Sequence, residues 1–166
     1  MNIRPEKESD IPAIRHVHAE AFRVHPFSRQ TEHFIVEHLR KAGALSISLV
    51  AETEDGVAGH IAFSRALIGG NDAGWFLLGP VGVLPALQRK GIGSALVREG
   101  LAALRNLDAA GCILVGDPHF YERFGFASLP QITMPEVPQE YVLSLPFGKE
   151  IPSGILGHHE AFLATE

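Results

Sequence analysis

The stretch QRKGIGSALV, residues 88–97, places two glycines at the start of the most regular amphipathic helix in the chain. Each glycine inside a helix costs about 1 kcal/mol relative to alanine, so stability alone disfavours this arrangement. The first amides of a helix lack partners within the helix and carry a partial positive charge that favours an anion. Because glycine has no Cβ atom to hold a phosphate away, the stretch predicts a pyrophosphate-binding helix start. Gln88, Arg89 and Lys90 add donors and charge beside it.

The segment before this helix supports the same interpretation. Residues 75–83 read WFLLGPVGV, an apolar strand interrupted by Gly79, Pro80 and Gly82. Proline removes a donor from the ladder, and glycine in a strand marks a bulge or a close approach to the backbone. A strand broken directly before an anion-binding helix indicates a ligand in the gap. On the glycines alone, a surface turn is an equally good explanation.

The order of the predicted elements is that of a single α/β domain spanning residues 1–166. Helical spacing predicts helices over 10–23, with Ser9 as N-cap, and over 31–42 and 92–107. Asp117 and Pro118 begin a short helix that ends at Gly125. A β-α-β crossover is predicted from strand 75–83 through the long helix to strand 112–116. Such a crossover implies that the two strands are parallel. The other predicted strands are 1–4, 46–53, 57–67 (joined to the previous one by an Asp55-Gly56 hairpin turn), 141–145 and 154–156.

Composition disfavours several classes of function. The formal net charge of −5 disfavours a nucleic-acid partner, which favours a basic domain. The longest uncharged apolar stretch, 73–87, is broken by glycine and proline and falls short of the roughly 20 residues that span a bilayer. No secretory signal is expected at the beginning of the sequence. The single cysteine, Cys112, lies in an apolar run and is expected to be a core residue, so a cytoplasmic protein without a membrane partner is predicted.

Metal and hydrolase sites are not predicted either. His33 and His38 in HFIVEH are one residue too far apart for the His-x-x-Glu-His zinc pattern, and HHE at 158–160 is contiguous. The nine histidines are therefore interpreted as solvated or capping residues. Neither a Gly-x-Ser-x-Gly elbow nor the common nucleotide-binding glycine motifs occur.

Three motifs together resemble one family. QRKGIG, residues 88–93, matches the Gln/Arg-x-x-Gly-x-Gly/Ala acetyl-CoA signature of the GNAT superfamily of N-acetyltransferases. VGVLP at 81–85 resembles the bulged strand of that superfamily, and FYERFGF at 120–126 is similar to its Tyr-x-x-x-Gly-Phe segment. The resemblance covers nearly the whole chain, most weakly after residue 130, and is nearest to small bacterial acetyltransferases. It implies a mixed, mostly antiparallel central sheet with a bulged, splayed parallel strand pair and helices on both faces.

The resemblance also implies a site. Acetyl-CoA would be the acyl donor, with its pantetheine arm along Val81 to Val83 and the Val83 amide donating to the thioester carbonyl. Tyr121 would act as general acid to the departing thiolate; the alternative is that Tyr121 is only a core aromatic residue. The implied cofactor-binding residues are Val81, Gly82, Val83, Gln88, Arg89, Lys90, Gly91, Ile92, Gly93, Ser94 and Tyr121.

The implied reaction is direct transfer of an acetyl group to a primary amine of a small molecule or peptide. The acceptor is expected between the first two helices, including residues 21–27, and the late strands. The general base stays open among Glu20, Glu52, Asp117 and His119, with a helix cap as the alternative role for Asp117. Two other functions stay open, a non-catalytic acyl-CoA-binding sensor and a domain that binds no nucleotide, and a homodimer is a further expectation.

Overall fold

The computed structural model describes residues 1–166, which form nine strands and four α-helices. The strands are β1 (Asn2–Pro5), β2 (Ile47–Thr53), β3 (Gly56–Arg65), β4 (Leu67–Ile68), β5 (Trp75–Val83), β6 (Gly111–Val115), β7 (Ile132–Thr133), β8 (Val142–Pro146) and β9 (Gly154–Gly157). The helices are α1 (Ile11–Ala21), α2 (Glu32–Lys41), α3 (Ile92–Asn106) and α4 (Pro118–Tyr121). Six strands form the central sheet in the order β1-β2-β3-β5-β6-β8, and β4-β9-β7 form a smaller sheet.

The central sheet is antiparallel except where β5 runs parallel to β6. The β5–β6 ladder covers only Trp75–Leu77 against Gly111–Ile113, whereas β6 pairs with β8 over its whole length. Beyond Leu77, β5 pairs only with β3, so the two parallel strands separate. Gly79 and Pro80 stand opposite the single residue Ala62, which is the geometry of a β-bulge. The predicted fold class, with its bulged and splayed pair, is confirmed.

Helices cover both faces of the sheet because side chains alternate along each strand. On one face, Leu96, Val97 and Leu104 of α3 are fully buried in a core that includes Ile61 and Phe63 of β3. On the other face, α1 and α2 cover the sheet through a second apolar cluster, which consists of Ile14, Val36, Val50 and Ala62. The sheet therefore separates two packed layers, and the gap between β5 and β6 lies between them.

Most predicted elements lie within one or two residues of those observed. The two-residue strand β7 was not predicted, and two further details differ. Ser9 does not cap the first helix: Glu8–Asp10 form a 3₁₀ turn, and the Asp10 carboxylate accepts a hydrogen bond from the Lys7 amide at 2.7 Å. The predicted strand 57–67 is divided, because β3 ends at Arg65 and β4 joins the smaller sheet. None of the helices combines the length and the apolarity that crossing a lipid bilayer requires.

Candidate active site

Three of the sequence motifs meet at one corner of the molecule. A Cβ atom placed on Gly93, in the first turn of α3, would lie 3.8 Å from Val83 Cγ2 and 3.8 Å from Phe120 Cζ. Val83 is the last residue of β5, and Phe120 belongs to α4. The end of the bulged strand, the glycine-containing helix start and the FYERFGF segment are therefore adjacent.

The backbone at the start of α3 has a run of unpaired amides. The first helical hydrogen bond joins the Ala95 amide to the Gly91 carbonyl at 3.0 Å, and the amides of residues 89–94 donate to no protein acceptor. Arg89 and Gly91 have left-handed backbones, with φ of 63° and 85°. A Cβ atom on Gly91 would meet no atom within 4 Å, so the amides border open space. These features match what an anion needs at a helix start.

The three polar residues before this helix have different positions. The Gln88 carboxamide donates to the Val83 carbonyl at 3.0 Å, which ties the loop back to the end of β5. Arg89 and Lys90 are exposed and form no ion pair within the chain. The structure thus leaves two free cationic side chains beside the unpaired amides.

The end of β5 has one unpaired edge. The Leu84 amide donates to the Ala58 carbonyl at 2.9 Å, and Gly59 stands opposite Val83. Residues on an antiparallel strand alternate between facing their partner strand and facing away from it. Val81 and Val83 therefore direct their amides away from β3, toward the side from which β6 has separated.

Tyr121 combines a packed ring with a free hydroxyl group. Its ring centroid lies 4.8 Å from that of Phe120 and 5.9 Å from that of Phe126, and a Cβ atom on Gly116 would lie 2.7 Å from Cε2. The hydroxyl forms no hydrogen bond within the protein. Burial, followed by the nearby Cys112 and Asp117, raises the pKa of Tyr121 above its usual value, so the phenol is protonated at neutral pH. Both roles weighed for Tyr121 are compatible with this geometry.

Comparison with known proteins identifies the fold and the family. Residues 44–128 match the family model for the acetyltransferase (GNAT) domain. The chain is 35% identical over 127 residues to the uncharacterized N-acetyltransferase YhbS of Escherichia coli, which covers 76% of this chain and 73% of YhbS. The chain belongs to the GNAT family of acetyltransferases.

Two solved structures are close to the GNAT chain over almost its full length. A GNAT family acetyltransferase from Brucella melitensis, in complex with acetyl-CoA, has a TM-score of 0.88 and 48% identity, with 97% of each chain covered. The structure of Escherichia coli YhbS in complex with CoA has a TM-score of 0.89 and 28% identity, covering 99% of this chain and 93% of that one. The predicted family and the predicted acyltransferase class are confirmed.

Three of the four residues considered as general base contact other groups of this GNAT chain, whereas the exposed side chain of His119 forms no hydrogen bond or ion pair within it. Asp117 Oδ1 accepts from the His119 amide at 2.9 Å, which is a helix cap. Glu52 accepts from Arg4 Nη2 at 2.9 Å on the β1 side of the sheet, and Glu20 lies 3.5 Å from Arg23. Cys112 is fully buried, as predicted, and burial raises the pKa of its thiol, so it is no alternative nucleophile.

Two histidines contradict the interpretation of all nine as solvated or capping residues. His18 of α1 and His60 of β3 have no exposed surface, and His18 Nε2 lies 2.7 Å from His60 Nδ1. His18 continues the apolar face of α1 formed by Ile14 and Val17, and this spacing is the sequence signal for its burial. His159 does cap, accepting from the Ala161 amide at 3.0 Å. The side chains of histidine, cysteine, aspartate and glutamate form no group of three or more that could hold a metal ion.

Proposed function

We propose that this GNAT protein transfers the acetyl group of acetyl-CoA directly to a primary amine of a small molecule or peptide. The observation that carries the proposal is the run of unpaired amides at the start of α3, beside the unpaired edge of β5. The 48% identical Brucella melitensis protein was crystallised with acetyl-CoA and the Escherichia coli YhbS protein with CoA, which supports the same donor here.

The donor fits the residues that surround this corner. The amides of Lys90, Gly91, Ile92, Gly93 and Ser94 would bind the pyrophosphate, with Arg89 and Lys90 adding positive charge. The pantetheine amides would pair with the main chain of Val81 and Val83 along the unpaired edge of β5, whereas Gly82, which faces β3, lines this segment without a free main-chain group. Because the Gln88 carboxamide donates to the Val83 carbonyl, we propose that Gln88 holds the loop and the strand together beside the bound donor.

Acetyl-CoA supplies an acetyl group activated as a thioester. The Val83 amide, on the unpaired edge, donates to the thioester carbonyl oxygen as negative charge develops there, and one such donor is worth about 3 kcal/mol. The Tyr121 hydroxyl donates its proton to the leaving sulfur, which the raised pKa permits because the phenol is protonated at neutral pH. Since Cys112 is buried in the core, the amine attacks without a covalent enzyme intermediate.

We propose that the acceptor binds beside the connection between α1 and α2. That connection presents two exposed apolar side chains, Val24 at 82% exposure and Phe27 at 91%, next to the rings of Phe22 and His25. We propose that these exposed apolar groups contact the acceptor. An amine that carries an apolar body is therefore the acceptor that we propose. A cytoplasmic location and a homodimer stay predictions.

Two measurements test the proposal in sequence. Isothermal titration calorimetry with acetyl-CoA should show binding in the micromolar range, the usual range for an enzyme substrate. A screen of primary alkyl amines, aryl-alkyl amines and peptides, read by free-thiol detection, should then show thiol release above the hydrolysis background. Absence of binding overturns the proposal, and binding without thiol release from any amine assigns the chain to the sensor function instead.

A further inference from the structure

Three arginines line a groove on the side of the sheet that α3 covers. Arg98 and Arg105 belong to α3, and Arg123 belongs to the 3₁₀ turn that follows α4. The groove between them has a volume of about 300 Å³, and its apolar lining includes Leu101 and Ala102. We call it the arginine groove. Its floor is apolar, and its rims carry positive charge.

Each of the three guanidinium groups lies over an aromatic ring. Such a contact attracts the cation to the ring face and limits the motion of a long side chain. It uses none of the N–H donors of the guanidinium group in a hydrogen bond to an acceptor. The distances from Cζ to the ring centroid are 5.2 Å for Arg98 over Phe124, 4.0 Å for Arg105 over Phe147 and 4.9 Å for Arg123 over Phe120.

The positive charge of the arginine groove is not balanced by any carboxylate of the chain. Ion pairs form at five other arginines, whereas Arg98, Arg105 and Arg123 form none. Acidic residues outnumber basic ones in this chain, by 19 to 14. A carboxylate partner is therefore the abundant one, and the groove is a local exception to the negative charge of the protein. An anionic partner fits such a place.

The spacing of the arginines on α3 restricts the shape of that partner. Arg98 and Arg105 are two helical turns apart, so they lie on one face of α3 at a separation of about 10 Å along its axis. Leu101 and Ala102 lie between them on the same face. In an extended peptide, residues about 10 Å apart are three positions apart and point to opposite sides. A helix presents two residues seven positions apart on one side at this distance.

We infer that the arginine groove binds an amphipathic helix of a partner protein, with acidic residues seven positions apart and apolar residues between them. The two carboxylates pair with Arg98 and Arg105, because the planar guanidinium group can bind both oxygens of a carboxylate. The apolar residues of the partner pack on Leu101 and Ala102, and Arg123 on the opposite wall receives a further carboxylate. This inference does not depend on the proposed acetyl transfer.

A second copy of the chain does not offer such a helix. The only acidic residue of α1 is Glu20, and that of α3 is Glu99. Helix α2 has two, Glu32 and Glu37, which are five positions apart and point in different directions. The partner is therefore a different protein. Nucleic acid is disfavoured by the net charge of −5, which repels a polyanion outside the groove.

The arginine groove is adjacent to the corner proposed for acetyl-CoA but extends away from it. Arg123 lies over Phe120, and Phe120 Cζ would lie 3.8 Å from a Cβ atom on Gly93. Arg105 is more than three helical turns farther along α3 than Gly93, about 18 Å along the axis. Substitutions at Arg98 and Arg105 therefore test the groove without changing the residues proposed to hold the pyrophosphate.

A synthetic helix provides the direct test. The probe is a fluorescein-labelled peptide of about 20 residues with glutamate at every seventh position and leucine and alanine between, and its binding to the full chain is followed by anisotropy. Exposed ion pairs are individually weak, so we expect a Kd below about 100 µM at low ionic strength that weakens as salt is added. A matched peptide with glutamine in place of glutamate should bind at least about tenfold more weakly. If the glutamate peptide does not bind, or binds no better than the glutamine peptide, the inference is wrong.

Charge reversal in the groove separates a site from an effect of net charge. Arg98→Glu with Arg105→Glu should weaken binding of the glutamate peptide by at least about tenfold, because like charges then face each other. The matched control is Arg29→Glu with Lys41→Glu, which changes the net charge equally at two exposed positions that form no ion pair. The control should bind as the wild type does. Equal losses in the two variants would contradict a site at the groove.

Blocking the floor gives a second variant that keeps every charge. Ala102 is exposed on α3, so Ala102→Trp should leave the fold intact while it fills the space between the arginines. We expect at least about a tenfold loss of peptide affinity from this steric block. Thermal unfolding checks that each variant is folded. Normal peptide affinity in Ala102→Trp overturns the inference, even if charge reversal prevents folding.

Two competitors distinguish the helix from other anions. Saturating acetyl-CoA should leave peptide affinity unchanged, since the two ligands occupy separate residues. Displacement of the peptide by acetyl-CoA would assign these arginines to the nucleotide and refute a partner site. An oligothymidylate that carries the same number of charges should bind more weakly than the peptide, and tighter binding would also refute it.

Discussion

Gly82 and His18 are in contact across the interface between strand β5 and helix α1. A Cβ atom on residue 82 would lie 2.9 Å from His18 Nδ1 and 3.3 Å from the Cβ of Ala21. In the sequence, Gly82 indicated a bulge or a close approach to the backbone. The bulge lies at Gly79 and Pro80, so the close approach at Gly82 is that of helix α1. The atom that approaches is His18 Nδ1, which is buried and has no hydrogen-bond partner.

Gly82→Ala should therefore destabilise the protein by displacing His18. The added methyl group overpacks this contact, and we expect the free energy of unfolding in urea to fall by about 1–3 kcal/mol. In a His18→Ala background the clash is absent, so the same substitution should cost at least about 1 kcal/mol less. Equal costs in the two backgrounds would show that the contact carries no energy.

Gly91→Glu should remove acetyl-CoA binding while leaving the fold intact. The new carboxylate would stand beside the unpaired amides and repel the pyrophosphate. At φ of 85° the side chain also costs about 1–2 kcal/mol of stability, which a domain of this size tolerates. The matched control is Gly70→Glu, because Gly70 has φ of 78° and likewise no neighbour within 4 Å of a Cβ atom. Calorimetry should show normal affinity for Gly70→Glu; retained affinity in Gly91→Glu would contradict the proposed phosphate site.

Tyr121→Phe should lower kcat and leave both the fold and donor binding unchanged. The hydroxyl forms no hydrogen bond within the protein, so its removal costs little stability, whereas loss of a general acid costs roughly 10²-fold or more in rate. Thiol release with saturating amine, together with thermal unfolding, measures the two effects. Tyr141→Phe is the control, since Tyr141 lies outside the site and is 41% exposed. If both variants retain wild-type kcat, Tyr121 is only a core aromatic residue.

The buried histidine pair should make the protein less stable as pH falls from 7 to 5. The pKa of His60 is about 3 in the folded protein against 6.5 as its ordinary value, so the unfolded chain takes up the proton first. Its contribution is complete above pH 6.5 and declines below it, by about 2 kcal/mol between pH 7 and pH 5. His18 acts in the same direction. The Asp10 carboxyl, whose pKa Arg4 holds at about 2, stabilises the fold throughout this interval and loses its contribution only at lower pH.

Urea unfolding at the two pH values checks this expectation. His60→Gln should show a smaller change in free energy between pH 7 and pH 5 than the wild-type protein, even if it is less stable at both. His16→Gln, an exposed substitution on the same helix as His18, should retain the wild-type change. A wild-type stability that does not vary over this interval would contradict the burial of neutral histidines.

The order of the elements followed from local patterns. Examples are the spacing of Ile14 and Val17, the Asp55-Gly56 turn and the Asp117 cap. Each depends on interactions between residues a few positions apart, so each can be predicted from one short stretch of sequence. The two-residue strands β4 and β7 were not predicted, because two residues are too few to show an alternating pattern. Ser9 was a plausible cap by residue type, but Arg4, which binds Asp10 at 2.7 Å, favours a turn centred on Asp10.

The sequence by itself determined the family, the glycine-containing helix start and the interrupted strand, because each is a contiguous motif with a local backbone requirement. Only the tertiary structure decided that β5 and β6 separate after Leu77 and that His18, Ser48 and Glu6 connect through His60. These residues lie on four segments spread over more than 50 positions of the chain. A histidine becomes buried and neutral only through what packs around it, and that environment is created by folding.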